Sequence, residues 1–232
     1  MTDIEHRIEG PRRGEPKYAA GKFTDEDISK GRHRAHVGGM WDKMGKLQLD
    51  FLVAQGLKPE HRFLDVGCGS LRAGVHLVDY LEPGNYYGID ISAEVIRAGY
   101  DHELTDEQRT RLPASNLRVT DRFDGDFNVP FDMAIAQSVF THVSLNHIRL
   151  CLYRVAKVMA PGGRFYATFN ERPRKFPLDG TKGKRYTERN VYWQYRADLR
   201  WASSFAPWKF TYIGDWGHER GQRMACFTRL AE

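Results

Sequence analysis

The chain has 232 residues and a mass of 26.8 kDa, a length that suits one generous α/β domain better than two. Apolar residues make up 41% and charged residues 28%, which excludes a wholly disordered, collagen-like or coiled-coil chain. The net charge of +5 is local: residues 164–196 hold nine Lys or Arg against three Asp or Glu, a net of +6, so the rest stands at −1 and a uniformly basic, nucleic-acid-coating protein is excluded.

Residues 1–35 mix charge, glycine and proline without apolar periodicity and read as an N-terminal arm that orders only where it docks. This start lacks the apolar core of a signal peptide, and nothing in the chain approaches a membrane span, so a cytoplasmic protein with no membrane contact is expected. A single domain is expected over 36–232. It opens with a helix in which Trp41, Met44, Leu47, Phe51 and Leu52 recur at helical spacing until Gly56.

Short β-rich runs then alternate with helical stretches. Strands are expected at 63–66, 86–89, 117–120, 133–136 and 164–169, and helices at 71–81, from 93, and at 145–159. Within the last of these helices Ile148, Cys151, Leu152, Val155 and Met159 make a structural apolar stripe, and Pro161-Gly162-Gly163 supplies a turn back to the sheet. A basic insertion around 170–190, a helix over 191–205 and two strands, 209–213 and 223–229, end the chain. Strand and helix in alternation predict an α/β fold, a mostly parallel sheet with helices on both faces. Cys68, Cys151 and Cys226 form no close pair, so buried reduced thiols are expected, with neither a disulfide framework nor a metal site.

The informative segment is FLDVGCGSLRAG, 63–74. An apolar strand enters a turn with Gly67 and Gly69 and then a helix, so the backbone can approach a ligand closely at a helix N-terminus. Asp90 ends the next strand, 21 residues after Gly69, where a carboxylate can accept hydrogen bonds from ribose hydroxyls. Together these predict an adenosine-containing ligand. The turn ends Ser70-Leu71-Arg72-Ala73-Gly74, which lacks the Lys-Ser/Thr pair of a phosphate loop and the third glycine of a dinucleotide fingerprint.

The Asp-x-Gly-x-Gly pattern of 65–69 resembles motif I of the class I S-adenosylmethionine-dependent methyltransferases. YYGIDIS (86–92), FDMAIAQSVFTHV (131–143) and VAKVMAPGGRFYATF (155–169) resemble later motifs of that family, so the likeness runs over roughly residues 60–230. It implies a Rossmann-like, mostly parallel seven-stranded sheet with an antiparallel last strand, and S-adenosyl-L-methionine as cofactor. Position by position, it implies Asp65, Gly67 and Gly69 at the methionine end and Asp90 on the ribose. Asp121 would meet the adenine amino group, Phe123 would stack, and the backbone of Gln137 would meet the methionine ammonium. The family's third glycine falls at Leu71. HVGGMWD (36–42) resembles the family's N-terminal cap over the cofactor, with Trp41 either in that cap or in the core.

After the fourth strand the chain reads Gln137-Ser138-Val139-Phe140-Thr141-His142, with neither the Asn/Asp-Pro-Pro-aromatic signature of amine methylation nor the Pro-Cys of C5 methylation. An oxygen acceptor is therefore expected. A hydroxyl needs a base during attack, and His142 is the first choice, with His218 and Glu171 as the alternatives. The hairpin GDWGHERGQ (214–222) offers donors, acceptors and an aromatic face of the kind that hold sugars, unless it is merely solvated. HVGGMWD, GCGSLRAG, SVFTH and GDWGHERGQ together resemble small actinobacterial sugar O-methyltransferases, among them the mannoside 1-O-methyltransferases of methylmannose polysaccharide synthesis. That resemblance implies a small saccharide, a partly methylated mannoside, as acceptor. No nucleic-acid partner is expected; the rival readings are an RNA- or protein-directed methyltransferase gripping through the basic insertion, and a cofactor-binding module without catalysis.

Overall fold

The computed structural model describes residues 22–172 and 192–231. The first part of the N-terminal arm, and the basic insertion from 173 to 191 with Arg174, Lys175, Lys182 and Lys184, lie outside the described residues.

Two short helices precede the sheet. Helix α1 (Asp25–Ser29) starts at Thr24, whose hydroxyl accepts from the Asp27 N–H while Asp27 reaches back to the Thr24 N–H. Gly31, in the left-handed region at φ 67°, turns the chain into α2 (Arg32–His36). This part of the arm docks. His33 is buried against Glu103, and Arg34 grips the same carboxylate with two bonds of 2.7 Å. Residues 37–40 then form a strap with three consecutive left-handed residues, Gly38, Gly39 and Met40, leading into α3 (Trp41–Ala54).

The alternating elements follow as β1 (Phe63–Val66), α4 (Gly74–Tyr80), β2 (Tyr86–Asp90), α5 (Ala93–His102), α6 (Asp106–Arg111), β3 (Leu117–Val119), β4 (Phe131–Ala136), α7 (Leu145–Val158) and β5 (Met159–Glu171). After the undescribed segment come β6 (Trp193–Gln194), α8 (Arg196–Ser203), β7 (Trp208–Gly214) and β8 (Arg223–Arg229). The main sheet runs β3-β2-β1-β4-β5-β8-β7, and β8 pairs antiparallel with both neighbours while β1 to β5 are parallel. The expected mostly parallel seven-stranded sheet with an antiparallel last strand is therefore observed, and the two-residue β6 adds a short parallel pairing at Asn170 and Glu171.

All four residues of β1 are buried, as befits a central strand covered on both faces. On one face α7 and α8 pack Ile148, Leu152, Val155 and Leu199 against Phe131, Phe165 and Phe227. On the other, α3 and α4 bring Met44, Leu52 and Leu77 against Phe63, Met133 and Tyr166. Each such fully buried side chain contributes about 1.5 to 3 kcal/mol.

Three boundaries differ from the sequence-based expectation. Helix α4 begins at Gly74 because residues 67–73 are consumed by the turn above β1. Pro161-Gly162-Gly163 is a bulge within the long β5, where the register against β4 shifts between Phe131 and Met133, not a turn preceding a shorter strand. The helix expected over 191–205 is confined to Arg196–Ser203, so Tyr192, Trp193 and Tyr195 precede it and only Trp201 lies on it. Among the described residues no helix is long and apolar enough to cross a membrane.

Candidate active site

A cavity of about 610 Å³ opens at the carboxyl ends of β1, β2 and β4, where a parallel α/β sheet leaves room for a ligand. The turn after β1 forms its floor. Gly67 and Gly69 take φ of 77° and 56°, and a Cβ on Gly67 would stand 2.4 Å from Cγ2 of Val139, so the β1 and β4 loops approach as closely as they do only because glycine is there. Leu71, at the family's third glycine, also takes φ 63° and buries its side chain completely; the left-handed turn is kept without glycine.

Asp90, ending β2, closes the turn. Its Oδ2 accepts from the Gly69 N–H at 2.9 Å and its Oδ1 from the Ser92 N–H at 3.0 Å. Burial raises its carboxyl above the ordinary range against the lowering effect of these bonds. Asp65 is deeper still. It accepts a 2.8 Å bond from the Tyr86 hydroxyl, and burial pushes its pKa up to about 7. A buried and a partly buried carboxylate with spare lone pairs call for donors or positive charge from a ligand.

The β4 loop forms the opposite wall. Ser138 takes φ 61°, its N–H donates to Oγ1 of Thr168 at 2.6 Å, and its hydroxyl shares bonds with Gln222 from the β7–β8 hairpin. This network fixes the 138–142 turn, in which the Thr141 hydroxyl donates to the Ser138 carbonyl and the His142 N–H to the Val139 carbonyl. The half-buried His142 lines the cavity from there.

Residues 64–165, from β1 into β5, match the family model described as a methyltransferase domain. The fold of the chain is the Rossmann-like fold of the methyltransferases. Among solved structures, the sugar N-methyltransferase KedS8 of Streptoalloteichus sp. ATCC 53650 aligns over 100% of this chain and 99% of its own at 18% identity and a TM-score of 0.63. DesVI of Streptomyces venezuelae aligns over 91% and 100% at 17% and 0.61. Magnesium protoporphyrin IX methyltransferase of Synechocystis PCC 6803, with bound S-adenosylmethionine, aligns over 92% and 88% at 16% and 0.59. At these identities the likenesses establish the fold. The residues present fit S-adenosylmethionine: glycines where a side chain would clash, and a partly buried carboxylate at the end of β2 with lone pairs left for hydroxyls.

The cavity brings together Asp65, Gly67, Gly69, Asp90, Asp121, Phe123, Gln137, His142 and His218. Glu171 is not with them. It ends β5 in bonds from the Arg196 guanidinium and, at 2.5 Å, from the Tyr212 hydroxyl; burial raises its carboxyl, but these two bonds outweigh burial and leave it below the ordinary range. His218 reaches the cavity as a neutral ring. Burial first, then Arg220 and Arg72, push its pKa down to about 4, and its two nitrogens face the Arg220 N–H and the Gln137 amide. Such a ring takes up a proton poorly.

Arg72, Ser138 and Gln222 also line the cavity and carried no local signal in the sequence. Arg72 is 8% exposed although it is charged. From the hairpin, Arg220 donates to the Gly38 carbonyl at 2.8 Å, and Glu219 pairs with Lys43, so the strap over the cavity is held from the β7–β8 side as well.

Proposed function

We propose that the chain is an O-methyltransferase whose acceptor is a hydroxyl of a small saccharide, a partly methylated mannoside of the kind used in methylmannose polysaccharide synthesis. The observation that carries this reading is the acceptor end of the cavity. His142, His147, Tyr192, Ser138 and Arg220 line it, and among the described residues the carboxylates that line the cavity are Asp65, Asp90 and Asp121, all on the β1 to β3 side assigned to the cofactor. An ammonium acceptor calls for a nearby carboxylate; a neutral hydroxyl calls for a base and hydrogen-bonding neighbours.

When bound, S-adenosylmethionine supplies a methyl group activated for in-line displacement. Asp90 would hold the ribose, Asp121 and Phe123 the adenine, and the Gln137 backbone with Asp65 the methionine end. His142 would take the acceptor proton as the oxygen attacks, because His218, with its pKa pushed down to about 4 and both ring nitrogens engaged, is a weak base, and Glu171 is not among the residues that line the cavity. That KedS8 is a sugar N-methyltransferase supports a sugar acceptor on this fold and makes an amino sugar the second reading. The buried free thiols of Cys68, Cys151 and Cys226 suit a reducing compartment, and we place the enzyme in the cytoplasm.

The test incubates the protein with methyl-labelled cofactor and a panel of partly methylated mannooligosaccharides, amino sugars and RNA, followed by mass spectrometry. Label on a mannoside oxygen is the expected result. Label on an amino sugar or RNA alone overturns the proposal.

A further inference from the structure

Arg72 has no role in the reading above, yet it is a charged side chain buried in the cavity wall. A guanidinium withdrawn from water requires an anion or a complete set of acceptors. Among the described residues no carboxylate forms an ion pair with Arg72. Nη1 donates to the Val37 and Gly39 carbonyls at 3.1 and 2.9 Å, Nη2 donates to Oε1 of Gln137, and Nε is buried with no partner. Asp65 attracts it from beyond hydrogen-bond reach, and burial, the larger effect, lowers its pKa to about 10. Both terminal nitrogens thus rest on neutral oxygens, and the Nε edge of the fork is unfilled.

The location says which anion is missing. Arg72 follows Leu71 at the end of the glycine turn and lines the cavity beside Gly69 and Gln137, the end assigned to the methionine part of the cofactor. S-adenosylmethionine has one anionic group, its amino-acid carboxylate. We propose that Arg72 is the carboxylate-binding residue of the cofactor site, offering Nε and Nη2 as a fork once the Gln137 side-chain amide gives way. A carboxylate there supplies the absent counter-charge and leaves Nη1 on the strap, so the guanidinium that recognises the cofactor also holds residues 37–39 over it. The departure from the family's glycine at 71 gains a sense: Leu71 anchors the turn in the core, and Arg72 is thereby aimed at the cofactor.

The experiment is calorimetric titration of the full chain with S-adenosylhomocysteine and with its decarboxylated analogue, which keeps the adenosine and the amine. The parent should bind the carboxylate-bearing ligand roughly 10- to 100-fold more tightly, the range expected for a forked, charge-assisted contact. Arg72→Met should bind both ligands equally. A parent indifferent to the carboxylate, or an Arg72→Met variant that keeps the parent's preference, overturns the assignment. If Arg72→Met does not fold, Arg72→Lys replaces it: a ratio below the parent's supports the fork, and an unchanged ratio overturns it. A parent that binds neither ligand overturns this assignment together with that of the cofactor.

Discussion

Asp90→Ala should weaken S-adenosylhomocysteine binding by roughly 10² to 10⁴. The carboxylate sits at the end of β2, with Oδ2 on the Gly69 N–H at 2.9 Å and Oδ1 on the Ser92 N–H at 3.0 Å. Each oxygen keeps lone pairs for one ribose hydroxyl. Two charge-assisted hydrogen bonds at about 1.5 to 3 kcal/mol each set an upper range of about 3 to 6 kcal/mol. Water entering the vacated space offsets part of this, which leaves about 3 to 5 kcal/mol, at about 1.4 kcal/mol per tenfold change. The effect on folding should be smaller, because the substitution frees two backbone N–H groups but also removes a carboxylate whose burial is unfavourable in the cofactor-free protein. Titration calorimetry on a variant that melts cooperatively decides the matter. A dissociation constant within about threefold of the parent's would refute the ribose assignment and the energetic reasoning with it.

His142→Ala should leave cofactor affinity unchanged and lower the transfer rate by about 10² to 10⁴, the range expected when a general base is removed; parental turnover would remove it as the base. Gly67→Ala should abolish cofactor binding or folding, since the new Cβ meets Val139 at 2.4 Å in a left-handed conformation that itself costs about 1 to 2 kcal/mol; a stable variant with parental affinity would contradict the close approach of the two loops. Asp65, with a folded pKa of about 7 against an ordinary 3.8, holds its proton more tightly folded than unfolded. Its contribution to the stability of the cofactor-free protein is therefore present below about pH 4 and lost as pH rises to about 7, by up to about 4 kcal/mol, and urea unfolding of the parent against Asp65→Asn should show the difference growing across that window. If instead the two unfold with a constant difference, the carboxyl is not proton-linked. The chain should not be retained on RNA at low salt, despite its basic insertion; tight binding that falls steeply with salt would move the acceptor towards nucleic acid.

Much of the fold was legible because its signals are local. Strand β1, the glycine turn and the carboxylate of Asp90 lie within 28 residues, and each is announced by a short-range pattern: an apolar run, glycines where φ turns positive, an acid at a strand end. That the strands run mostly parallel followed from the same alternation, since parallel strands need helical crossovers, whereas their order in the sheet did not. What remained hidden depends on pairings far apart in the chain. That Leu71 adopts a glycine-like φ is set by the pocket that buries its side chain, not by its own preference. Arg72 reads as an ordinary surface charge until residues 37–39 and Gln137 are folded against it. In one dimension His142 was the first choice of base and Glu171 an alternative; the tertiary structure separates them further, because Arg196 and Tyr212 close on Glu171 while the 138–142 turn, held by Thr168 and Gln222, carries His142 to the cavity. Backbone periodicity determines which elements exist, but the destination of a polar side chain is decided by which distant donors and acceptors reach it once water is excluded.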